Sequence, residues 1–501
     1  MKKNIYILSL LLSVLVGFSQ ELTQQDALRY ATENLTGTAR FRGMSGAFGA
    51  VGGDMSAINI NPAGSAIFSH NMASFTGSTF NTKNRSNYFG TETKDKYSTL
   101  DLNQLGAVFV FVNSNPENNW KKFTIGLNYD KTNNFEDRLF AAGTNPYNSI
   151  GNYFLNYAQG TPLAVLTDNT YSNLNFANQQ AYLGFNAYLF DPVDGLDPNN
   201  LNYTSNIPAE NTFYQDNIIS STGFVGKFTG NFATSYKDIL FLGLNLNVHF
   251  TDYVKTSSVS ETNNGNQPNR VSYIQFDNEL YTYGAGFSLN VGAIVQPIKE
   301  VRIGLAYESP TWYRLNDELK QTLIGVSYEN GVLLDDDLVA PNVTNIYPSY
   351  KLQTPQKITG SFAYIFDKKG LISTDVVFKD YAITRFAPVN VQPYQDVNID
   401  LSNSLQSALE IRIGGEYRIK QFSVRGGYRF EQSPYKVDYA FGDLTGYSGG
   451  IGYSFGDSKL DLAYANSHRN YAQNFVSSGM NDTARIRTTQ NNVTLTYSIN
   501  F

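Results

Sequence analysis

From about residue 71 to the C-terminus, one pattern recurs: apolar and polar residues alternate singly, in short runs. Phe123, Ile125, Leu127 and Tyr129 alternate with Thr124, Gly126, Asn128 and Asp130. Leu242 to Phe250, Tyr283 to Val291, Val301 to Tyr307, Leu409 to Tyr417, Val424 to Phe430, Leu460 to Tyr464 and Val493 to Phe501 do the same. Single alternation sends one set of side chains to each face of an extended strand, the signature of antiparallel sheet with two unlike faces. A soluble sandwich fills its wet face with charge. Here only 16% of residues are charged, and the polar face is mostly Gly, Ser, Thr and Asn. The apolar face carries aromatics near run ends, such as Tyr129, Phe250, Tyr307, Tyr417 and Phe455. Aromatic girdles and a polar interior are what a transmembrane barrel needs. Only a closed barrel leaves an apolar sheet face in lipid with every backbone group paired.

The connections alternate in length. Short links at Asn115-Pro116-Glu117, Tyr236-Lys237-Asp238, 296–299, 367–370, 419–421 and 456–458 separate long polar excursions at about 81–100, 138–218, 258–271, 317–349, 388–404, 434–443 and 471–489. Short turns on one side and long loops on the other are the outer-membrane arrangement, the short turns being periplasmic. Counting runs predicts an all-β fold, an antiparallel barrel of about 14 strands with both ends on the periplasmic side. The last run alternates strictly to Phe501 and resembles the C-terminal signal read by the bacterial barrel-assembly machinery.

What fills such a barrel is predicted by Gly37–Gly64. Glycines recur at Gly43, Gly46, Gly49, Gly52 and Gly53 between small or apolar residues, and Asn61-Pro62-Ala63-Gly64 closes the stretch with a turn. Interior glycines weaken helices and strands but let backbone pack closely against another surface. An irregular segment this apolar belongs inside an enclosure, since a surface loop would be more polar. Ahead of it, Glu21–Leu35 has helical spacing with Thr23 as N-cap. Residues 1–19 read as a cleaved secretory leader: Lys2 and Lys3, an apolar stretch from Ile5 to Val16, then Gly17-Phe18-Ser19. The expected division is leader 1–19, plug 20–64 and barrel 65–501, with a large external segment at 138–218.

Composition narrows the function. With no cysteine, disulfides, Cys-ligated zinc, thiol catalysis and a lipidated cysteine are excluded. The net charge is −6; without Lys2 and Lys3 it becomes −8, 35 basic against 43 acidic residues. No dense basic stripe runs along the sequence, which argues against nucleic acid as a partner. The three histidines, His70, His249 and His468, are scattered and make neither a metal set nor a Ser–His pair. Gly46-Ala-Phe-Gly49 lacks the spacing and preceding strand of a nucleotide loop. Asp335-Asp336-Asp337 reads as a solvated acidic turn. No enzyme, cofactor or metal site is expected.

Parity places Glu410, Arg412, Glu416, Arg425, Arg429 and Glu431 inward on adjacent runs, with Arg302, Glu308, Asp375 and Lys379 also inward. Two readings stand. Either these charges pair to hold wall and plug, or a cation among Arg412, Arg425, Arg429 and Lys379, or Arg40 and Arg42 on the plug, is left to meet a ligand carboxylate, which a guanidinium fork matches. In the external segment Tyr153, Phe154, Tyr157, Phe185 and Tyr188 form aromatic clusters suited to hydrophobic capture or to packing over the barrel mouth.

Taken together, the chain resembles the FadL/TodX/OmpP1 family of outer-membrane transporters for hydrophobic compounds. The resemblance rests on Gly37-Thr-Ala-Arg-Phe-Arg-Gly43, Asp54 and the Asn61-Pro62-Ala63 motif, on Thr354-Pro355 through Gly360 with Asp375, on Ile411–Tyr417, Val424–Tyr428, Ser433-Pro434 and Tyr447–Tyr453, and on the terminal strand. It implies a 14-stranded barrel in the outer membrane, closed toward the periplasm by an N-terminal hatch. A fatty acid or other hydrophobic small molecule would enter from outside and leave sideways into membrane lipid at a strand kink. The segment 138–218 departs from the family plan in size. A scaffold or secretion-shuttle barrel that binds protein partners is the alternative reading.

Overall fold

The computed structural model describes residues 22–208, 212–263, 270–367, 369–392, 394–437 and 439–501; the leader expected over 1–19 lies outside them. Fourteen strands form the wall: β1 (Met72–Tyr88), β2 (Thr91–Val112), β3 (Trp120–Asn134), β4 (Phe213–Tyr236), β5 (Leu240–Asn263), β6 (Val271–Ile298), β7 (Val301–Glu308), β8 (Lys357–Phe366), β9 (Gly370–Asp380), β10 (Ser407–Ile419), β11 (Phe422–Glu431), β12 (Leu444–Ser454), β13 (Ser458–Asn474) and β14 (Thr483–Asn500). Each pairs antiparallel with the next, β1 pairs with β2, and β14 returns to β1. Closure removes the edge strands, so ladder groups at the level of the belt find partners on both sides.

The two faces sort as the alternation predicts. On β5, Leu242, Leu244, Leu246 and Val248 are exposed outward, whereas Asn245, Asn247 and His249 are buried in the lumen. Outward apolar exposure of this kind continues around the ring through Ile303, Leu305, Leu409, Ile413, Leu495 and Tyr497. This is a belt meant for lipid, since water would leave it unburied.

Strand ends differ from expectation on the long-loop side. Most of 81–100 is not a loop: β1 and β2 run on as a hairpin turning at Phe89 and Gly90. Likewise, much of 258–271 and 471–489 extends β5, β6, β13 and β14. Above the bilayer both faces can be polar, so the apolar period fades while ladder hydrogen bonds continue. Strand β7 breaks at Ser309-Pro310-Thr311, where proline has no N–H for the ladder, and the chain resumes as Trp312–Glu329 along the same neighbour, β6.

The external segment folds into a cap. Helices α3 (Gly151–Ala158), α4 (Leu163–Thr167) and α5 (Phe176–Asn186) share a core with Tyr88, Phe213 and Phe276 on the extended strands and with Phe475 just beyond β13. Inside the barrel, α1 (Gln24–Ala31) is shorter than the predicted Glu21–Leu35. It starts at Thr23, which makes a reciprocal capping box with Asp26. Gln24 Nε2 donates to Ser404 Oγ at 3.0 Å, at the end of the external helix Tyr394–Ser404. The described chain thus begins high in the lumen and descends through α2 (Ala39–Gly43) to the turns Ser56–Asn59 and Pro62–Ile67 before entering the wall at Met72. The two ends of the wall itself, Met72 and Asn500, pair with each other on the short-turn side.

Candidate functional site

The glycine-rich stretch has no ladder of its own. Its short turns satisfy part of the backbone, as in Arg42 N to Thr38 O at 2.9 Å and Gly53 N to Gly64 O at 3.0 Å, and the remaining groups need partners from elsewhere. The polar lumen face supplies them from around the ring. Asn103 Oδ1 accepts Gly37 N at 2.8 Å, Thr496 Oγ1 accepts Ala39 N at 2.7 Å, and Asp375 Oδ2 accepts Phe48 N and Gly49 N, each at 3.0 Å. From β4, β5 and β7, Asn231 donates to Pro62 O at 3.0 Å, Asn245 to Ile58 O at 2.9 Å and Arg302 to Val51 O at 2.7 Å. Asn61 is the knot: its Nδ2 donates to Gly49 O at 2.9 Å and to Ala293 O of β6 at 3.1 Å, and its Oδ1 caps Ala63 N at 3.1 Å. Pro62 opens the turn and Ala63 is fully buried. Wall glycines allow the close approach: a Cβ on Gly292 would lie 2.1 Å from Asn61 Oδ1, and one on Gly243 2.3 Å from Ala63 N. Gly43 itself lies against Gly450 and Arg425.

The inward charges on β9 to β13 form two paired clusters. Glu410 accepts Arg412 Nε at 2.7 Å and Arg429 Nε at 2.6 Å, with Lys379 Nζ at 3.5 Å. Glu416 accepts Arg425 Nε at 2.7 Å and Arg40 Nε at 2.8 Å, and Arg425 also reaches Asp461 at 2.7 Å. The four wall cations and Arg40 are therefore already engaged by acids, and through Arg40 the wall charge holds the plug. Arg42 is 2% exposed, and its Nε meets no acceptor among the described residues.

A lysine that the sequence reading passed over stands apart. Lys227 of β4 is 4% exposed, and no ion pair or hydrogen bond engages its ammonium among the described residues. It faces a cavity of about 50 Å³ that Glu33, Asp130, Thr132, Arg412 and Arg429 also line. The signal was present: Lys227, Thr229, Asn231 and Ser235 alternate with Phe228 and Phe232. Glu33 and Thr132 also border a second small cavity, about 20 Å³, beside Tyr30, Tyr313, His249 and Lys357. Lys357 Nζ bridges Glu33 at 2.9 Å and Glu308 at 2.8 Å.

Above α1 lies a larger cavity of about 780 Å³, lined by Tyr153, Phe176, Phe276, Leu280, Leu319 and Phe475 together with Asp26 and Arg29 of α1. Of the five expected capture aromatics, Tyr153 borders it. Phe154 is fully buried in the cap core, Tyr157 and Phe185 pack against that core, and Tyr188 is exposed on the surface. Phe176, Phe276 and Phe475 come from segments far apart in the chain, which no single stretch of sequence brings together.

The wall has a discontinuity. Pairing between β2 and β3 ends at Gln104 with Asp130, while β2 continues to Thr91 paired with β1 alone. Strand β3 is irregular at Lys131–Asn133 and stops at Asn134; after a break its course resumes as Asp137–Asn145 along β4. Across the gap Lys131 pairs with Asp101, and Asn134 Nδ2 donates to Asp101 Oδ2 at 3.0 Å. Asn133 ties this point to the inner segment, donating to Thr32 O at 2.7 Å and accepting Asn34 N at 2.9 Å.

A closed 14-stranded wall with a lipid-facing apolar belt and a lumen filled by its own N-terminal segment is a plugged outer-membrane barrel. The chain belongs to the outer-membrane transport family OMPP1/FadL/TodX, whose description as outer membrane protein transport protein matches residues 225–501, more than half of its length. Two solved structures share the fold. A FadL homologue of Pseudomonas aeruginosa aligns at 14% identity and a TM-score of 0.51, over 94% of this chain and 100% of that one. The Pseudomonas putida toluene transporter TodX aligns at 16% identity and a TM-score of 0.50, over 93% and 99%. No curated protein matches the chain in sequence.

Proposed function

We propose that this barrel carries an amphipathic hydrophobic molecule, of the long-chain fatty acid class, inward across the outer membrane. It would be captured in the external cavity and released sideways between β2 and β3. The observation that carries the reading is the cavity of about 780 Å³ lying directly on α1, where Phe176, Phe276 and Leu319 are interleaved with polar groups such as Lys255, Asn278 and Gln321, a mixed lining that suits an amphipathic molecule. An apolar chain gains by leaving water for such a site, roughly 25 cal/mol per Å² of buried surface. Below it, Lys227 lines the small cavity at the plug and offers a charge to a carboxylate. The plug, residues 20–64 in this reading, closes the straight path to the periplasm, with Arg40, Asn61 and Pro62 holding it. Asn133 supports a coupling in which displacement of α1 by ligand is felt at the side opening. No step requires catalysis or a cofactor.

Uptake of a radiolabelled long-chain fatty acid tests this in cells lacking the chain, complemented with wild type, Phe276→Asp or Lys227→Gln at equal outer-membrane levels. Wild type restores uptake and Phe276→Asp does not. Lys227→Gln weakens uptake of the acid but not of the matching fatty alcohol. An unchanged rate in the deletion strain would sink the proposal. The second reading, a scaffold for protein partners, would then lead, favoured by the apolar outer surface at Tyr188, Val193 and Leu196.

A further inference from the structure

The charge of the barrel exterior is not uniform. Just above the lipid belt, the register of β1, β2 and β14 brings cations from two distant stretches, the hairpin 83–96 and residues 485–487, onto one outward surface. Lys83 stands opposite Lys96, and Arg85 opposite Lys94. On the other side Arg85 stands opposite Arg487, and Asn87 opposite Arg485. All six cations are exposed, while the intervening Thr82, Asn84 and Ser86 are buried toward the lumen.

The grouping runs against the chain's net charge of −6, and like charges on neighbouring strands repel. No ion pair relieves it among the described residues. Asp95, between Lys94 and Lys96, faces the other way and pairs with Arg138. Glu92, opposite Asn87 near the hairpin tip, is the acid on this face. A face that gathers repelling cations without internal partners is built for an external anion.

Height identifies that anion. Below the cations, Leu100, Leu102 and Leu105 of β2 and Val493, Leu495 and Tyr497 of β14 form the exposed apolar belt. A row of Asn81, Ser98 and Asn491 separates belt from charge. From Leu100 to Lys96 is about 14 Å along a strand at ~3.4 Å per residue, or about 10 Å above the belt at a strand tilt of ~40°. Headgroups of the outer leaflet lie at that level. A shallow groove of about 340 Å³, bordered by Lys83, Arg85, Arg487, Thr489 and Asn491, opens there. Arginine forks and lysine ammonium groups are the recognition chemistry of phosphate.

We propose that the outward face of β1, β2 and β14 binds the phosphate groups of a phosphorylated glycolipid of the outer leaflet, with its acyl chains on the adjoining Leu100–Tyr497 belt. The lipid is thereby held on the wall strand β2 that borders the side opening, on the outside of the barrel and away from the lumenal route.

Native mass spectrometry of the purified full-length protein tests this, with bis-phosphorylated lipid A and its dephosphorylated form as probes. Wild type retains the phosphorylated form in preference by a factor on the order of 10. K83Q/R85Q/R487Q loses that preference, and the charge-conserving K83R/R85K/R487K keeps it. Inorganic phosphate at millimolar concentration does not displace the lipid. Heat-modified gel migration checks that each variant is a folded barrel. Two results overturn the proposal: a folded neutral variant with the preference intact, or displacement by inorganic phosphate, which would make the face a site for free anions. The readout is independent of transport, so loss of the transport reading leaves it standing.

Discussion

Asp375, on the wall, accepts the backbone N–H of Gly49, in the plug, through both carboxylate oxygens, at 3.2 and 3.0 Å. The same carboxylate also takes Phe48 N, which Gly46 O accepts as well at 2.9 Å, so Gly49 N is the backbone donor that relies on this side chain. Asp375→Ala strands Gly49 N, at about 1–3 kcal/mol for an unsatisfied buried group, and leaves Phe48 N to Gly46 O alone. The plug should become protease-sensitive between Met44 and Gly53, and cells should admit large hydrophilic antibiotics that wild type excludes. Asp375→Asn, which keeps one acceptor, should show a smaller change. Equal resistance in all three proteins would mean that this contact does not seat the plug.

Gly292→Ala tests the close approach of plug and wall at β6. Its methyl would overlap Asn61 Oδ1, and overpacking of this kind costs about 1–3 kcal/mol. The expected outcome is the same plug-loosening phenotype with the barrel intact. Gly360→Ala, where a Cβ meets nothing within 4 Å, is the matched control and should behave as wild type.

Glu410 is 1% exposed and balances Arg412, Arg429 and Lys379. Glu410→Gln leaves these buried cations short of their counter-charge, a loss of about 3–5 kcal/mol for a broken buried pair. The temperature at which the folded form disappears from gels should drop clearly. If it stays put, the charge wall is not holding β9, β10 and β11 together.

Glu261 lies on the external extension of β5, well above the belt that ends near Phe250. Burial pushes its carboxyl up to about 7, against opposing hydrogen bonds from Ser149, Gln215 and Ile150 N. Folded protein therefore holds this proton more tightly than unfolded chain does. Cap stability is full below the ordinary carboxyl value near 4.5, falls as pH rises from there to about 7, and is flat above. Hydrogen exchange in Gly151–Ala158, corrected for intrinsic rates, should accelerate from pH 5 to pH 8 in wild type and lose that dependence in Glu261→Gln.

The sequence by itself determined the class of protein. A period of two is local, and an outward face too apolar for water leaves one enclosure, a closed wall in lipid. The glycine-rich stretch, with the period of neither a long helix nor a strand, folds into short helical turns that pack inside it. Tertiary structure alone decided the rest. That Glu410 engages Arg412, Arg429 and Lys379 depends on which strands become neighbours and in what register, and those pairings form across turns whose geometry no local pattern encodes. The cavity aromatics Phe176, Phe276 and Phe475 meet because the cap folds back on the extended strands. Lys83, Arg85, Lys94, Lys96, Arg485 and Arg487 form no stripe in the linear chain. They become one surface only when β14 closes on β1, since closure is the long-range event that sets residue 487 beside residue 85.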